Sequence, residues 1–221
     1  MAAFHLRAED LPAEFPVFPL PGALLLPRGK LPLNIFEPRY KAMVEDSLGL
    51  GRMFAMIQSD PKQPETPNGP GLFQIGCLGR LSSFSETDDG RFLISLTGLV
   101  RFRIAREVDM RHGYRRVRGD FGPFLSDLDL SPRDPGLDRD GILTALKAYF
   151  TQRGVDANWD AINRMDDDTL VVTLGMACPF EPAEKQALLE AQSDADRAAI
   201  LLALLQMGAA GPDLPSGRVV S

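Results

Sequence analysis

The chain has 221 residues, of which 44% are hydrophobic and 24% charged, with a formal net charge of −6. This length and apolar content predict one large globular domain or two small ones, and exclude disordered and fibrous chains. The N-terminal stretch carries Glu9, Asp10 and Glu14 where a signal peptide has an apolar segment, and the longest strongly apolar run, 198–205, is far shorter than the roughly 20 residues that span a bilayer. We therefore expect a cytoplasmic protein without membrane contact.

The first half of the chain has the pattern of a small β domain with one helix. Short apolar runs and alternating apolar and polar residues are bounded by proline, glycine and aspartate, which predicts strands. The predicted strands are 15–18, 23–26, 31–36, 52–57, 73–85 and 91–97, followed by a hairpin of 99–108 and 114–121. Asp89 and Gly90 form a typical hairpin turn. Several short strands with a single helix favour a small barrel over a sheet of βαβ units.

The single helix of this half begins directly after the strand 31–36. Glu37 places a negative charge where helix starts favour one, and Pro38 suits the first helical position because its missing N–H needs no partner there. Apolar residues then recur at helical spacing, at Tyr40, Met43, Val44 and Leu48. We expect Arg39 to reach a neighbouring strand or carboxylate, so that its loss costs about 1 to 3 kcal/mol of folding stability if its charge is partly buried.

The composition changes after residue 124. Residues 125–141 are rich in aspartate, proline and glycine, which predicts a linker or surface loop. Helices are then predicted at 142–152, 160–165, 168–177, 182–191 and 194–207. Ser193 and Asp196 occupy capping-box positions of the last helix, and Gly208 stands just past its predicted end.

Positive charge is concentrated in the predicted hairpin. Residues 91–118 contain eight basic and two acidic residues, whereas both flanking parts of the chain are acidic. Arg101 and Arg103 in one strand, and Arg116 and Arg118 in the other, alternate with apolar residues and so could share one solvated face. Such a face could attract phosphate or acidic peptide. The alternative is the ordinary polar side of an antiparallel sheet, with its arginines paired to carboxylates.

The segment 60–71 contains prolines at every third position. In a polyproline II helix, this spacing would align Pro61, Pro64, Pro67 and Pro70 along one edge, as proline-recognising domains require. The alternative, which we favour, is an exposed loop between strands, since no basic flank accompanies the prolines.

No motif predicts catalysis, a cofactor or a metal. The pair Gly29-Lys30 has Leu24 and Leu31 where a phosphate-binding P-loop needs glycine and a hydroxyl. Two histidines and two scattered cysteines do not form a zinc site. The acidic triplet 166–168 lacks the spacing of a calcium loop, and Asp168 could contribute to the N-terminal capping of the helix that follows.

Four segments carry a resemblance to a known family. They are FPL at 18–20, IFEPRY at 35–40, a GxxRFRI segment at 98–104, and EKQALLEAQSDADRAAILLALL at 184–205. In this order they are similar to the Lon N-terminal domain family, the substrate-recognition domain of the ATP-dependent Lon protease, which also occurs as free-standing bacterial proteins. The resemblance covers residues 15–207. It implies an α+β fold: a PUA-like β-barrel at 12–124, a linker or surface loop at 125–141, a helical subdomain at 142–208 and a flexible tail at 209–221.

The resemblance also implies a function. It suggests a non-catalytic module that binds unfolded or degron-bearing protein segments, with an adaptor role in ATP-dependent proteolysis and a Lon-type protease as a candidate partner. The ATPase and Ser-Lys protease parts of full-length Lon have no counterpart here, so we expect no enzyme. The family-motif residues are expected to be either structural or peptide-binding: Phe36, Glu37, Pro38, Arg39, Tyr40, Gly98 and Arg101. An RNA-binding PUA-like barrel protein is the alternative, although the acidic net charge and the lack of an RNA-stacking signature disfavour nucleic acid.

Overall fold

The structure is a computed structural model and describes residues 6–131 and 136–210. Its strands are β1 (Glu14–Pro19), β2 (Lys30–Ile35), β3 (Met53–Ile57), β4 (Ile75–Glu86), β5 (Phe92–Arg111) and β6 (Tyr114–Asp120). Its α-helices are α1 (Pro38–Gly49), α2 (Arg139–Arg153), α3 (Trp159–Arg164), α4 (Asp167–Ala177), α5 (Pro182–Glu190) and α6 (Asp194–Ala210). Short 3₁₀ turns lie at Ala8–Asp10 and Gly122–Leu128. The α+β class expected from the sequence is confirmed.

The six strands form one mixed sheet that curls back on itself. Its order is β2-β5-β4-β3-β1-β6, and β5 also pairs with β6. The 20-residue strand β5 makes this possible, because its first half pairs with β2 and its second half with β6. Among the strand pairs of the described residues, only β1 and β3 are parallel. The result is an unevenly closed barrel, compatible with the expected PUA-like architecture.

Contacts divide the described chain into two compact units. The first contains 6–131 and 175–190, and the second contains 136–174 and 191–210. This division differs from the predicted one, because α5 packs on β4 and belongs with the sheet. One core cluster of the first unit consists of buried apolar side chains from the strands and the loops beside them: Phe15, Val17, Ala55, Ile57, Leu72, Leu78, Val100, Phe102, Val117 and Phe124.

Two strand predictions were wrong. Residues 23–26 are not a strand, although Leu24, Leu25 and Leu26 are buried. Turns enclose this run on both sides, with Ala23 N–H donating to the Leu20 carbonyl and Gly29 N–H to the Leu26 carbonyl. The predicted strands 91–97 and 99–108 are a single strand, β5. Its Gly98 does not interrupt the strand but makes room for the turn that follows Leu26.

Two predictions in the helical half also need correction. The predicted loop 125–141 begins with a 3₁₀ turn that contains the buried Asp127, and α2 begins within it. Gly208 lies inside α6, not past its end, and faces the ring of Tyr149. At the start of α4, the Asp166 carboxylate accepts hydrogen bonds from the backbone and side chain of Thr169, and Asp168 lies in the first turn. The capping box of α6 is confirmed: Asp196 N–H donates to Ser193 Oγ at 3.0 Å, and Ser193 N–H donates to Asp196 Oδ2 at 3.1 Å.

The second unit is built mainly on the packing of α2 against α6. Its buried residues include Ile142, Leu146, Leu201 and Leu205. Residues 211–221 of the predicted tail lie outside the described residues. Nowhere in the described ranges is a helix long and apolar enough to cross a membrane.

Candidate polypeptide-binding surface

Glu37 and Arg39 form an ion pair at the start of α1. Arg39 Nη2 lies 2.8 Å from Glu37 Oε2, and the two side chains are 49% and 43% exposed. The Glu37 side chain does not cap the helix; its backbone carbonyl accepts the N–H of Tyr40 and of Lys41. Pro38 occupies the first turn, as predicted. Arg39 therefore reaches a carboxylate, but one on the surface, where solvent weakens the pair.

Tyr40 anchors the helix to the barrel. Its ring is buried and lies 4.2 Å, centroid to centroid, from the ring of Phe18 on β1. The Arg39 guanidinium covers the same ring at 4.5 Å. Burial is the main reason why the pKa of Tyr40 is raised. These contacts give Tyr40 and Arg39 a structural role in seating α1.

Gly98 is needed for a close approach of two chain segments. A Cβ atom at this position would lie 2.0 Å from the Leu26 carbonyl oxygen. The backbones are joined there, because Gly98 N–H donates to the Gly29 carbonyl and Arg28 N–H donates to the Gly98 carbonyl. Gly98 thus holds the loop 20–29 against β5.

Arg101 is buried, contrary to the solvated position considered from the sequence. Its Nε and Nη2 donate to the two oxygens of Asp127 at 2.9 Å, and its Nη1 donates to the Leu189 carbonyl of α5 at 3.2 Å. The guanidinium also lies 4.8 Å from the centre of the Phe124 ring. Arg101 is therefore a structural residue that joins the 3₁₀ turn Gly122–Leu128 and α5 to the sheet. Asp127 was not singled out from the sequence, since no local signal marks a carboxylate 26 positions away as its partner.

Several other arginines of the hairpin also contact carboxylates. Arg115 is buried and pairs with Glu107, while Arg116 and Arg118 lie 3.5 and 3.9 Å from oxygens of Glu14. This is the alternative considered above, the polar side of a sheet with its charges paired. The hairpin is therefore less suited to bind phosphate than its composition suggests.

A cluster around Asp46 joins α1 to the β5–β6 hairpin. Asp46 Oδ2 accepts the Tyr114 hydroxyl at 2.7 Å and lies 3.0 Å from His112 Nδ1 and 3.3 Å from Arg111 Nε. Burial raises the pKa of Asp46, but hydrogen bonds from Tyr114 and His112 and the charge of Arg111 outweigh it, so the net pKa is lowered. Burial and the Asp46 hydrogen bond raise the pKa of Tyr114 to about 12. Sequence analysis did not single out this cluster, because Asp46 lies on α1, far along the chain from its partners in the hairpin.

Phe36 differs from the other family-motif residues, because its large apolar side chain is 66% exposed. It lines an open groove of about 580 Å³ with the first turns of α1 and the turn at 89–91. That turn joins the strands that carry two more exposed apolar residues, Phe84 (41%) and Leu93 (45%). Phe84 lies on the same side of these strands as Phe92, whose ring centre is 5.0 Å from that of Phe84 and 4.7 Å from Lys41 Nζ, whereas Leu93 points to the opposite side. We call Phe36, Phe84 and Lys41 the hairpin-end surface.

No group of three or more His, Cys, Asp or Glu side chains that could hold a metal occurs in residues 6–131 and 136–210.

Comparison with known families gives a match over residues 14–207 to the family described as the ATP-dependent protease La (LON) substrate-binding domain. The chain belongs to this family.

Solved structures of Lon domains have the same fold. The chain is similar to the Lon N-terminal domain protein from Xanthomonas campestris, with a TM-score of 0.57 and 23% identity over 86% of this chain and 97% of that one. It is also similar to the N-terminal domain of the Mycobacterium avium complex Lon protease, with a TM-score of 0.60 and 16% identity over 87% of this chain and 97% of that one. At these identities, the likeness concerns the fold.

Full-length relatives are much longer than this chain. Lon protease 2 from Thermus thermophilus is 23% identical over 203 residues, which is 89% of this chain and 24% of that protein. Lon protease 2 from Myxococcus xanthus is 24% identical over 115 residues, or 52% of this chain and 14% of that protein. The chain thus spans less than a quarter of the length of these Lon proteases.

Proposed function

We propose that this Lon substrate-binding domain protein is a non-catalytic module that binds unfolded or degron-bearing polypeptide segments at the hairpin-end surface. The exposure of Phe36 carries the proposal. Glu37, Arg39 and Tyr40 seat α1, and Gly98 and Arg101 hold the barrel together, but the ring of Phe36 is two-thirds exposed. A phenylalanine in this position offers a large apolar contact to a partner at little conformational cost.

The shape of the surface favours weak and permissive binding. Its groove is open, and its two exposed apolar rings, Phe36 and Phe84, lie at a helix start and at the end of the sheet. A module that accepts many unfolded clients cannot depend on one deep pocket, so each interface is expected to bury less than about 1,200 Å², the size of transient complexes. Micromolar or weaker affinity follows.

A Lon-type protease in the cytoplasm is the partner that the family suggests, with this protein delivering clients to it as an adaptor.

The RNA-binding alternative is weaker. Arg101 and Arg115 are buried in ion pairs, and Arg116 and Arg118 lie near Glu14, so the basic segment does not present a line of unengaged guanidinium groups.

The experiment is a fluorescence anisotropy titration of a labelled casein-derived peptide. We expect Phe36→Ser to weaken peptide binding by about tenfold. This corresponds to a loss of ~1.4 kcal/mol of binding free energy, which is typical of an aromatic contact residue. Met207→Ser is the matched control, because Met207 is equally exposed (65%) but lies on α6. Equal peptide affinity of both variants, or salt-sensitive binding of RNA with none of peptide, would contradict the proposal. The same preparation is expected to hydrolyse neither ATP nor casein.

A further inference from the structure

A second groove lies within the first unit, between the loop 58–74 and helix α5. Its volume is about 500 Å³. The floor is apolar, with Pro61 and Phe73 on one side and Pro182 on the other. Ala183 and Ala187, one helical turn apart, are exposed on α5 and leave space above this floor. We call this site the proline-loop groove.

Buried glutamines hold the helix side of the proline-loop groove in place. Gln58 Nε2 donates to the Pro182 carbonyl and to Gln186 Oε1, both at 3.1 Å. Gln186 Nε2 in turn donates to the Ile75 carbonyl at 3.1 Å and to Glu190 Oε1 at 2.7 Å. Gln58 and Gln186 are 1% and 3% exposed, so these bonds are shielded from water. A groove fixed in this way loses little freedom when a ligand enters.

The loop side is also held by backbone bonds. Asp60 N–H donates to the Gly71 carbonyl at 2.9 Å, and Phe73 N–H donates to the Gln58 carbonyl at 3.0 Å. Arg115 Nη1 donates to the Pro70 carbonyl at 2.6 Å, which ties the loop to β6. The four prolines are therefore part of a folded loop that forms one wall of the groove.

The rim of the proline-loop groove is acidic. Three acidic residues, Asp60, Glu181 and Glu190, line it, whereas Lys62 is the one basic residue in the lining. The hydrogen bond from Gln186 fixes the position of the Glu190 carboxylate. A net negative rim around an apolar floor is complementary to a segment that carries apolar side chains beside lysine or arginine, and it repels nucleic acid and acidic peptides.

We propose that the proline-loop groove binds an extended polypeptide segment in which apolar residues are flanked by basic ones. The apolar side chains cover Phe73 and Pro182 and pack over Ala183 and Ala187, while the basic side chains lie near Glu181 and Glu190. This site is separate from the hairpin-end surface, and it would give the protein a preference for basic and apolar clients that the exposed apolar surface alone does not provide.

The probe is a short labelled glycine-serine peptide with two adjacent leucines flanked by lysines, and its matched partner has glutamates in place of the lysines. We expect the lysine peptide to bind at least about tenfold more tightly than the glutamate peptide, and its affinity to fall as salt screens the rim. Ala187→Lys fills the groove and adds a positive charge, so it should reduce lysine-peptide binding by about tenfold or more. Ala148→Lys, at an exposed alanine of α2, is the matched control and should leave binding unchanged.

A double variant, Glu181→Gln with Glu190→Gln, keeps the side-chain shapes and removes two charges. It should weaken lysine-peptide binding and flatten its salt dependence, with an unchanged melting temperature. Equal binding of the two peptides, or unchanged binding by Ala187→Lys, would overturn the inference. Phe36→Ser separates the two sites: if it abolishes lysine-peptide binding and Ala187→Lys does not, the peptide occupies the hairpin-end surface, which refutes this inference but supports the proposed function.

Discussion

Arg101 and Asp127 form a bidentate ion pair that is almost completely buried, with side chains 5% and 2% exposed. The pair joins β5 to the 3₁₀ turn Gly122–Leu128, and the same guanidinium reaches α5 through the Leu189 carbonyl. Three parts of the chain that are distant in sequence therefore meet at one side chain. Such a pair stabilises little against a well-packed apolar substitute, but the loss of one partner leaves an uncompensated buried charge.

Replacing Asp127 with alanine is expected to destabilise the protein by about 3 to 5 kcal/mol, because Arg101 would remain buried without its carboxylate. Urea unfolding followed by circular dichroism measures the loss. The double variant Arg101→Leu with Asp127→Leu removes both charges and is expected to lose less than the single variant. An Asp127→Ala protein with the stability of the wild type would show that water solvates the arginine.

Replacing Arg39 with alanine is expected to cost less than about 1 kcal/mol, because its ion pair with Glu37 is exposed to solvent. This value is smaller than the one expected from the sequence, which assumed a partly buried charge. Thermal unfolding and peptide anisotropy should both be measured. Peptide binding that disappears at an unchanged melting temperature would identify Arg39 as a contact residue.

Gly98→Ala is expected to destabilise the protein by about 1 to 3 kcal/mol or more, because the new methyl group overlaps the Leu26 carbonyl and the backbone must move. Gly49→Ala is the matched control. Gly49 ends α1 and has no atom within 4 Å of its added Cβ, so alanine there should be neutral or stabilising. Equal effects of the two substitutions would disprove the close approach at Gly98.

The Asp46 cluster predicts that the free energy of unfolding falls as the pH is lowered. The folded-state pKa of Asp46 is lowered, so its contribution is fully present above the unfolded pKa of about 3.9 and is lost as the pH falls through the folded value. Tyr114→Phe removes one hydrogen bond that lowers this pKa. The difference in unfolding free energy between wild type and Tyr114→Phe should be largest near neutral pH and should shrink in acid. A difference that grows in acid would have the wrong sign.

Periodicity was sufficient for most strands and helices, because side chains that alternate or recur at helical spacing have few other stable arrangements. It failed at 23–26, where three leucines are buried by packing under turns and not by strand pairing. A short apolar run predicts that its side chains are buried, but it does not predict which backbone groups it hydrogen-bonds to. The same limit explains Gly208, which resembles a helix end in sequence but gives the room that Tyr149 needs inside the helix packing.

The candidate surfaces were only partly accessible to sequence analysis. The IFEPRY motif directed attention to Phe36, but exposure separates this residue from its structural neighbours, and exposure depends on the whole fold. Gln186 belongs to a motif that the sequence associated with the closing helices, yet its partners Gln58 and Ile75 are more than 100 positions away. Charge alternation suggested an open basic face, whereas the carboxylates that pair with its arginines lie on the 3₁₀ turn (Asp127), on β1 (Glu14) and within the hairpin itself (Glu107).

The discontinuous first unit has a consequence for the order in which the protein is made. Helix α5 supplies Gln186 to Gln58, the Leu189 carbonyl to Arg101, and Lys185, whose ammonium donates to the Gly22 carbonyl at 2.7 Å. During synthesis the strands emerge long before these partners, and the second unit interrupts the chain between them. Closing so long a loop adds only a logarithmic entropic penalty, but it delays completion. The hydrogen bonds that α5 makes with Gln58, Arg101 and Gly22 therefore cannot form until residue 190 has left the ribosome.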